Sequence, residues 1–307
     1  MMQKSGKRMK LGVAFATVEY SMQGKIPTFR DLVAAVQAAE AIGLDSFWLA
    51  DHLLYRFAEQ GEERGCWEAM TMLSALAAVT TRIVLGPLVA ATSFRHPALL
   101  AKMAATLDEI SAGRFILGVG AGWHQPEYAA FGYPFDHLAS RFEEALQIIA
   151  PLLREGHVDF HGQYYQVSDC VLRPRGPSPA GPRICIGAKR PRMLRLAAQY
   201  ADIWNTAWHS DTLAFQQVYH QFLEACAAVG RDPATIEVTS GIQISLIQPG
   251  EQTFLDGNVL AGPPEEVAER LQTFADAGVD HLLIMLDPIG NAGIERLGRV
   301  VELLDQP

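Results

Sequence analysis

The chain of 307 residues alternates short apolar runs with helical stretches eight times over. Parallel strands need a long return between them, and a helix is the usual one. The expected strands are Leu11–Ala16, Ser46–Ala50, Ile83–Val89, Phe115–Val119, Arg183–Ile186, Ile203–Ala207, Glu237–Ile247 and His281–Leu286. Each is followed by a helical pattern. In Phe29–Ala41, Leu32, Val33, Val36 and Ala39 fall on one face, with Thr28 as N-cap and Gly43 as stop. The others are Glu68–Val79, Pro97–Ile110, Ala139–Arg154, Pro191–Tyr200, Thr212–Val229, Pro264–Ala277 and Ile294–Leu304. Eight repeats favour an α/β fold of the closed (β/α)8, or TIM, barrel type over a doubly wound sheet. No phosphate-binding fingerprint follows the first strand, which weakens the doubly wound reading.

Two segments break the repeat. Gly156–Pro182 contains the alternating HVDFHGQYYQV, read as a hairpin turning at Gly162, then a proline-rich loop. It reads as an insertion. The polar stretch Leu53–Gly65 reads as a surface loop, and His124–Asp136 as an aromatic-rich one. Residues 1–9 read as a flexible leader and 10–307 as one barrel domain. The basic start lacks the apolar core of a signal peptide.

Composition removes other classes. A net charge of −9 argues against a nucleic-acid surface. No apolar run is long enough to span a membrane. Cys66, Cys170, Cys185 and Cys226 are scattered without metal or disulfide spacing, so a reducing, cytoplasmic setting is expected.

In a parallel barrel the chemistry sits where strands finish. The second strand delivers Asp51-His52 there, an imidazole for proton transfer beside a carboxylate that can orient it. The plainer reading is a turn aspartate with an incidental histidine. The fourth strand exits through Gly120-Ala121-Gly122-Trp123, which lets a flat ring approach the backbone, with Trp123 as a wall. The fifth exits through Gly187-Ala188-Lys189-Arg190-Pro191-Arg192, where the N–H groups of a helix start and three cations suit an anion. A solvated basic turn is the alternative. Glu68 and His96 are explained as helix-start residues, and His281 opens its strand at the far end and reads as structural. The histidines form no metal set.

These residues together resemble the bacterial-luciferase-like superfamily, in particular its coenzyme F420-dependent or flavin-dependent oxidoreductases. The resemblance runs from about Lys10 to Leu304. It is carried by Leu49-Ala50-Asp51-His52, Leu85-Gly86 through Phe94-Arg95-His96-Pro97, Ala101 through Asp108, Gly118 through Trp123 and Ile184 through Asn205. It implies a deazaflavin or flavin ring over the strand tips, backed by Leu88, Val89, Ala90 and Ala91. It also implies a non-proline cis peptide at Leu88-Val89 or Val89-Ala90. Asp51, Gly122 and Trp123 would border the ring, and the phosphate tail would run to Gly187, Ala188, Lys189, Arg190 and Arg192. His52 would move the proton, with Asp51 orienting it or touching the ring. The resemblance further implies F420 as cofactor with direct hydride transfer, FMN with oxygen chemistry as the alternative, a small-molecule substrate and a homodimer. A ligand-binding barrel without turnover is the rival from another class. Relatives that oxidise a sugar phosphate carry a glutamate where Trp123 stands and a tryptophan where Arg56 stands, so that reaction is not expected. The substrate walls are expected from Tyr55–Cys66, Trp123–Asp136 and Gln248–Gly262.

Overall fold

In the computed structural model, which describes residues 8–57, 62–255, 257 and 259–305, the predicted strands stand side by side and parallel. The strands are β1 (Lys10–Phe15), β2 (Ser46–Leu49), β3 (Leu54–Phe57), β4 (Glu62–Gly65), β5 (Val84–Pro87), β6 (Ala90–Ala91) and β7 (Ile116–Gly120). They continue with β8 (His157–His161), β9 (Gln166–Val171), β10 (Arg183–Gly187), β11 (Ile203–Ala207), β12 (Glu237–Ser245), β13 (Leu260–Ala261) and β14 (His281–Asp287). The helices are α1 (Phe29–Ala41), α2 (Ala69–Ala78), α3 (Pro97–Ile110), α4 (Gln125–Phe131), α5 (Leu138–Arg154), α6 (Pro191–Tyr200), α7 (Thr212–Val229), α8 (Pro264–Asp276) and α9 (Asn291–Leu304).

The barrel path runs β5-β2-β1-β14-β12-β11-β10-β7-β6. Its third strand position is split. β5 bonds to β2, whereas β6 bonds to β7, and a bridge between Leu85 and Phe115 helps to close the ring. The expected strand Ile83–Val89 therefore stops at Pro87, and after a cis Leu88–Val89 peptide a second piece, β6, follows just beyond its expected end. The result is a nearly closed (β/α) barrel.

Alternation along the strands decides what fills it. Leu11, Val13 and Phe15 of β1, and Leu282, Ile284 and Leu286 of β14, face the helices. Ala14 and Leu283, one residue out of phase, point inward with Trp48, Ile116, Cys185 and Ile203. The helices begin as the sequence suggests. Thr28 and Asp31 form a reciprocal capping box at α1, and the His96 ring accepts the Ala98 N–H at α3.

Three segments depart from expectation or extend it. Leu53–Gly65 is not a plain loop, because β3 and β4 pair antiparallel there. Tyr55 of β3 packs on His52, and Arg56 pairs with Glu63 across the hairpin. Residues 58–61, also part of that expected loop, lie outside the described residues. The aromatic loop after Trp123 contains α4, ended by Gly132 in the left-handed region at φ 76°. The insertion is a hairpin, β8 against β9, with Gly162 N–H donating to the Tyr165 carbonyl as expected. Residues 1–7 of the expected leader lie outside the described residues, and Arg8 pairs with Asp305 at 3.0 Å. No helix among the described residues is long and apolar enough to cross a membrane.

The strand-start end of the barrel is a buried polar knot. Trp48 Nε1 donates to Ser46 Oγ at 2.6 Å, and Ser46 Oγ lies 2.8 Å from His281 Nε2. His281 Nδ1 is 3.5 Å from Glu237, which also holds Lys10 at 3.1 Å and Arg183 at 2.8 Å. Gly12 makes room, since a Cβ there would sit 2.0 Å from Ser46 Oγ. The Ser–His–Glu connectivity is that of a hydrolase triad, but the serine is fully buried, so its role is packing. His281 is thus structural, as expected. Burial alone would raise the Glu237 carboxyl, but hydrogen bonds from His281 and Arg183 and the charges of Arg183 and Lys10 outweigh it and hold it well below the usual range. A depressed folded-state carboxyl stabilises above the ordinary carboxylate range and loses that contribution as pH falls through it. Glu237→Gln should lower Tm by about 5 °C at pH 7. It should also flatten the fall of Tm between neutral and acid pH, read by calorimetry.

Candidate active site

The strand tips open into a cleft of about 410 Å³. Ligand sites of small-molecule enzymes run from about 300 to 1,000 Å³. Asp51, His52, Leu88, Val89, Ala91, Gly122, Trp123, Gly187, Ala188, Lys189 and Arg190 all line it. Those residues come from four strand ends distant in sequence. Two expected members are elsewhere. Ala90 is fully buried and does not line the cleft, because its neighbours Val89 and Ala91 take the open side of the bulge. Arg192 sits in the first turn of α6 and reaches the Glu143 carboxylate on α5 at 2.7 Å, away from the cleft.

The floor is Val89. A Cβ on Gly120 would lie 2.7 Å from Val89 Cγ2, and one on Gly187 3.1 Å from it. These two glycines leave space for the valine to stand between the exits of β7 and β10. Gly122 has a separate reason to be glycine. Its φ is +81°, and a Cβ would strike the Tyr128 hydroxyl, which donates to the Ala121 carbonyl at 3.1 Å. On the opposite side stand Asn205, Thr206, Ala207 and Trp208, with a cis Ala207–Trp208 peptide.

At one end, α6 starts with Arg190 in the N-cap position and no side-chain cap. Its first backbone donors and the exposed Lys189 and Arg190 side chains present positive charge to the cleft. Burial lowers the Lys189 pKa. Nearby His209 accepts or donates a 2.9 Å bond with Thr206 Oγ1. Burial, and then the Lys189 charge, push it down to about 4, so it is neutral at pH 7.

The other end carries the carboxylates. Asp51 does not orient His52. Its two oxygens accept a bidentate pair from Arg95 at 2.7 and 2.8 Å, and Oδ2 also accepts the Ala91 N–H at 3.1 Å. Arg95 pairs with Glu68 as well, and Glu68 caps α2 through Met70 and Thr71. Burial alone would lower the Arg95 pKa, but Asp51 and Glu68 outweigh it and raise it. The carboxylate facing His52 is Glu127, with Oε1 3.0 Å from Nδ1 and Oε2 accepting the Leu53 N–H at 3.0 Å. No motif pointed to Glu127. A histidine at a strand tip followed downstream by Glu in a short amphipathic segment was the only available signal.

An aromatic corner surrounds His52. Tyr55 lies 4.3 Å away and Trp123 5.6 Å, centroid to centroid, with His124 5.0 Å from Trp123. His124 Nε2 accepts the Arg56 N–H at 3.0 Å, and burial lowers its pKa. Trp123 remains 62% exposed, open to the cleft. Among the described residues of the expected substrate walls, only Trp123 and Glu127 line the cleft; none of Gln248–Gly262 does. Residues 256 and 258 of that segment lie outside the described residues. Its described part is tied down beside β14, where Asp287 accepts from Thr253 and the Phe254 N–H. Among the described residues, no group of three or more His, Cys, Asp or Glu side chains is placed to hold a metal ion.

With this cleft at the ends of a parallel barrel, the comparisons agree on a family. Residues 9–250 match the model of the luciferase-like monooxygenases, and the chain belongs to that family. Among curated relatives, the pyrimidine monooxygenase RutA of Stutzerimonas stutzeri (strain A1501) is 33% identical over 287 residues, covering 88% of this chain and 76% of that one. The enzyme of the same name from Methylobacterium radiotolerans is 39% identical over 217 residues, 67% of this chain; the match spans only 55% of that relative's length. Among solved structures, the coenzyme F420-dependent tetrahydromethanopterin reductase from Methanopyrus kandleri superposes with a TM-score of 0.78 at 20% identity, covering 97% of this chain and 100% of that one. At that identity the likeness speaks for the fold alone.

The Asp51–Arg95 pair generates a stability prediction. Both side chains are almost wholly buried, so removing one strands the other. Arg95→Ala should cost about 3–5 kcal/mol of unfolding free energy. The double variant Asp51→Asn/Arg95→Met should recover part of that loss in urea denaturation.

Proposed function

We propose that this chain is a flavin-dependent monooxygenase that uses reduced FMN and oxidises a compact, planar nitrogen heterocycle. The observation that carries the reading is the cleft itself. Val89 stands in the cleft between two glycines, and the uncapped, cationic start of α6 closes one end. Those residues fit a ring and its phosphate. Val89 and Ala91 would support the ring, and Gly187, Ala188, Lys189 and Arg190 would hold the phosphate. When bound, reduced flavin supplies the electrons that activate oxygen, and the protein's task is to place, shield and protonate.

The rest is done by side chains on the chain itself. Trp123 and Trp208 would cover the cleft on two sides and exclude water from the reacting face. The aromatic corner offers stacking surface to a planar substrate. His52, held by Glu127, would give or take the proton at Nε2. Asp51, locked to Arg95, would keep the β2 tip and the bulge in register.

The resemblance alone put F420 ahead of FMN. The monooxygenase activity named for relatives at 33–39% identity supports the flavin instead, because oxygen insertion needs a cofactor that reacts with oxygen. Hydride transfer with F420 stays as the second reading, favoured by the histidine–carboxylate pair at the cleft, which suits the proton that accompanies a hydride.

Anaerobic titration with reduced FMN and with F420 separates these. Reduced FMN should bind one per chain, and Lys189→Ala/Arg190→Ala should weaken it about 10-fold or more. Tighter binding of F420 than of reduced FMN would transfer the assignment to the hydride-transfer reading. Binding of neither would overturn both.

A further inference from the structure

We propose that Glu127 is the positioning residue of the cleft: it keeps the His52 proton on Nδ1 and so presents Nε2 for proton exchange. The inference rests on the cleft being the reaction site. It concerns a residue outside the motifs that carry the family resemblance.

The geometry is restrictive. Glu127 is 1% exposed, and a carboxylate buried that far needs partners for its charge. Among the described residues two meet it, both from the segment after β2. Oε1 meets His52 Nδ1 and Oε2 accepts the Leu53 N–H, each at 3.0 Å. With both oxygens engaged, the carboxylate cannot swing without breaking a bond. Its helix is fixed in turn, since the adjacent Tyr128 is fully buried and hydrogen-bonds to the Ala121 carbonyl. An ionised carboxylate only accepts, so the shared hydrogen belongs to Nδ1, and the lone pair is left on Nε2.

The surrounding groups leave Glu127 as the charge that governs His52. Asp51, on the same tip, is matched by Arg95. Burial raises the pKa of Tyr55, so the phenol stays neutral, and burial pushes the Cys66 thiol up to about 12. His124 accepts the Arg56 N–H through Nε2, and burial lowers its pKa. When Nε2 takes a proton from a substrate N–H or O–H, the imidazolium therefore forms against Glu127. The same proton then passes from Nε2 to the product oxygen, and His52 returns to its starting state. No electrons move through the pair.

The test begins with nitrogen NMR of the histidine ring in the full-length wild type. His52 should show the Nδ1–H tautomer above its titration, and Glu127→Gln should shift that population toward Nε2–H. Turnover in Glu127→Gln should fall about 10- to 100-fold in kcat with KM within about twofold. The acid limb of its pH profile should move to lower pH, because the imidazolium has lost its counter-charge. The double variant Glu127→Gln/His52→Ala should lose no more activity in total than His52→Ala alone. An Nε2–H tautomer in the wild type overturns the proposal, and this holds even where the variant fails to fold. Additive losses in the double variant, or an unmoved pH profile, also overturn it and leave Glu127 as a mere anchor for Leu53. A wild type without monooxygenase turnover, but with an Nδ1–H tautomer lost in Glu127→Gln, would sink the flavin reading and keep the pair.

Discussion

Asp51 spends its carboxylate on its neighbours across the barrel rather than on the histidine beside it. Two bonds go to Arg95 at the start of α3 and one to the Ala91 N–H of β6. Those contacts join the tip of β2 to the far half of the split third strand. The split has to be held, because β5 belongs to β2 and β6 belongs to β7. Between them the chain must step from one neighbour to the other, and that step pushes Val89 into the cleft. The floor is thus a consequence of how the barrel closes, and the buried ion pair is what keeps the closure in one arrangement.

The two ends of the barrel use buried charge for different purposes. At the strand starts, Glu237 gathers Lys10, Arg183 and His281 into one cluster. At the strand tips, the same kinds of residue are spread along a cleft. Positive charge sits by α6, and compensated carboxylates sit by β2. An anionic tail and an uncharged planar ring would therefore find different halves of one site, and that polarity is what the proposed FMN orientation follows.

The strands and helices were legible because their periodicities of two and 3.6 are local properties of the chain. Thr28, His96 and Gly162 act at the turns and caps where their chemistry suggested. The β3–β4 hairpin was hidden because β4 is polar and both strands are only four residues long, too short for a period to read. Helix α4 was hidden because seven residues with a proline at the start give too short a period to read. The cleft residues at Asp51–His52, Val89, Gly122–Trp123 and Gly187–Arg190 followed from strand tips and resemblance. Their partners did not. Glu127 lies 75 positions from His52 and Arg95 lies 44 from Asp51, and single-sequence patterning carries no information about such pairs. Arg192 failed for a simpler reason: proximity in sequence to Arg190 says nothing about which side of α6 a side chain leaves from.

The central claim is that the cofactor ring rests on Val89. Methyl NMR of the protein labelled at valine tests it directly, since an aromatic ring in contact displaces methyl resonances by its ring current. Stoichiometric FMN should shift both Val89 methyl signals while leaving those of Val238 and Val300, in the core, in place. Saturable FMN binding with the Val89 methyls unmoved would contradict the account.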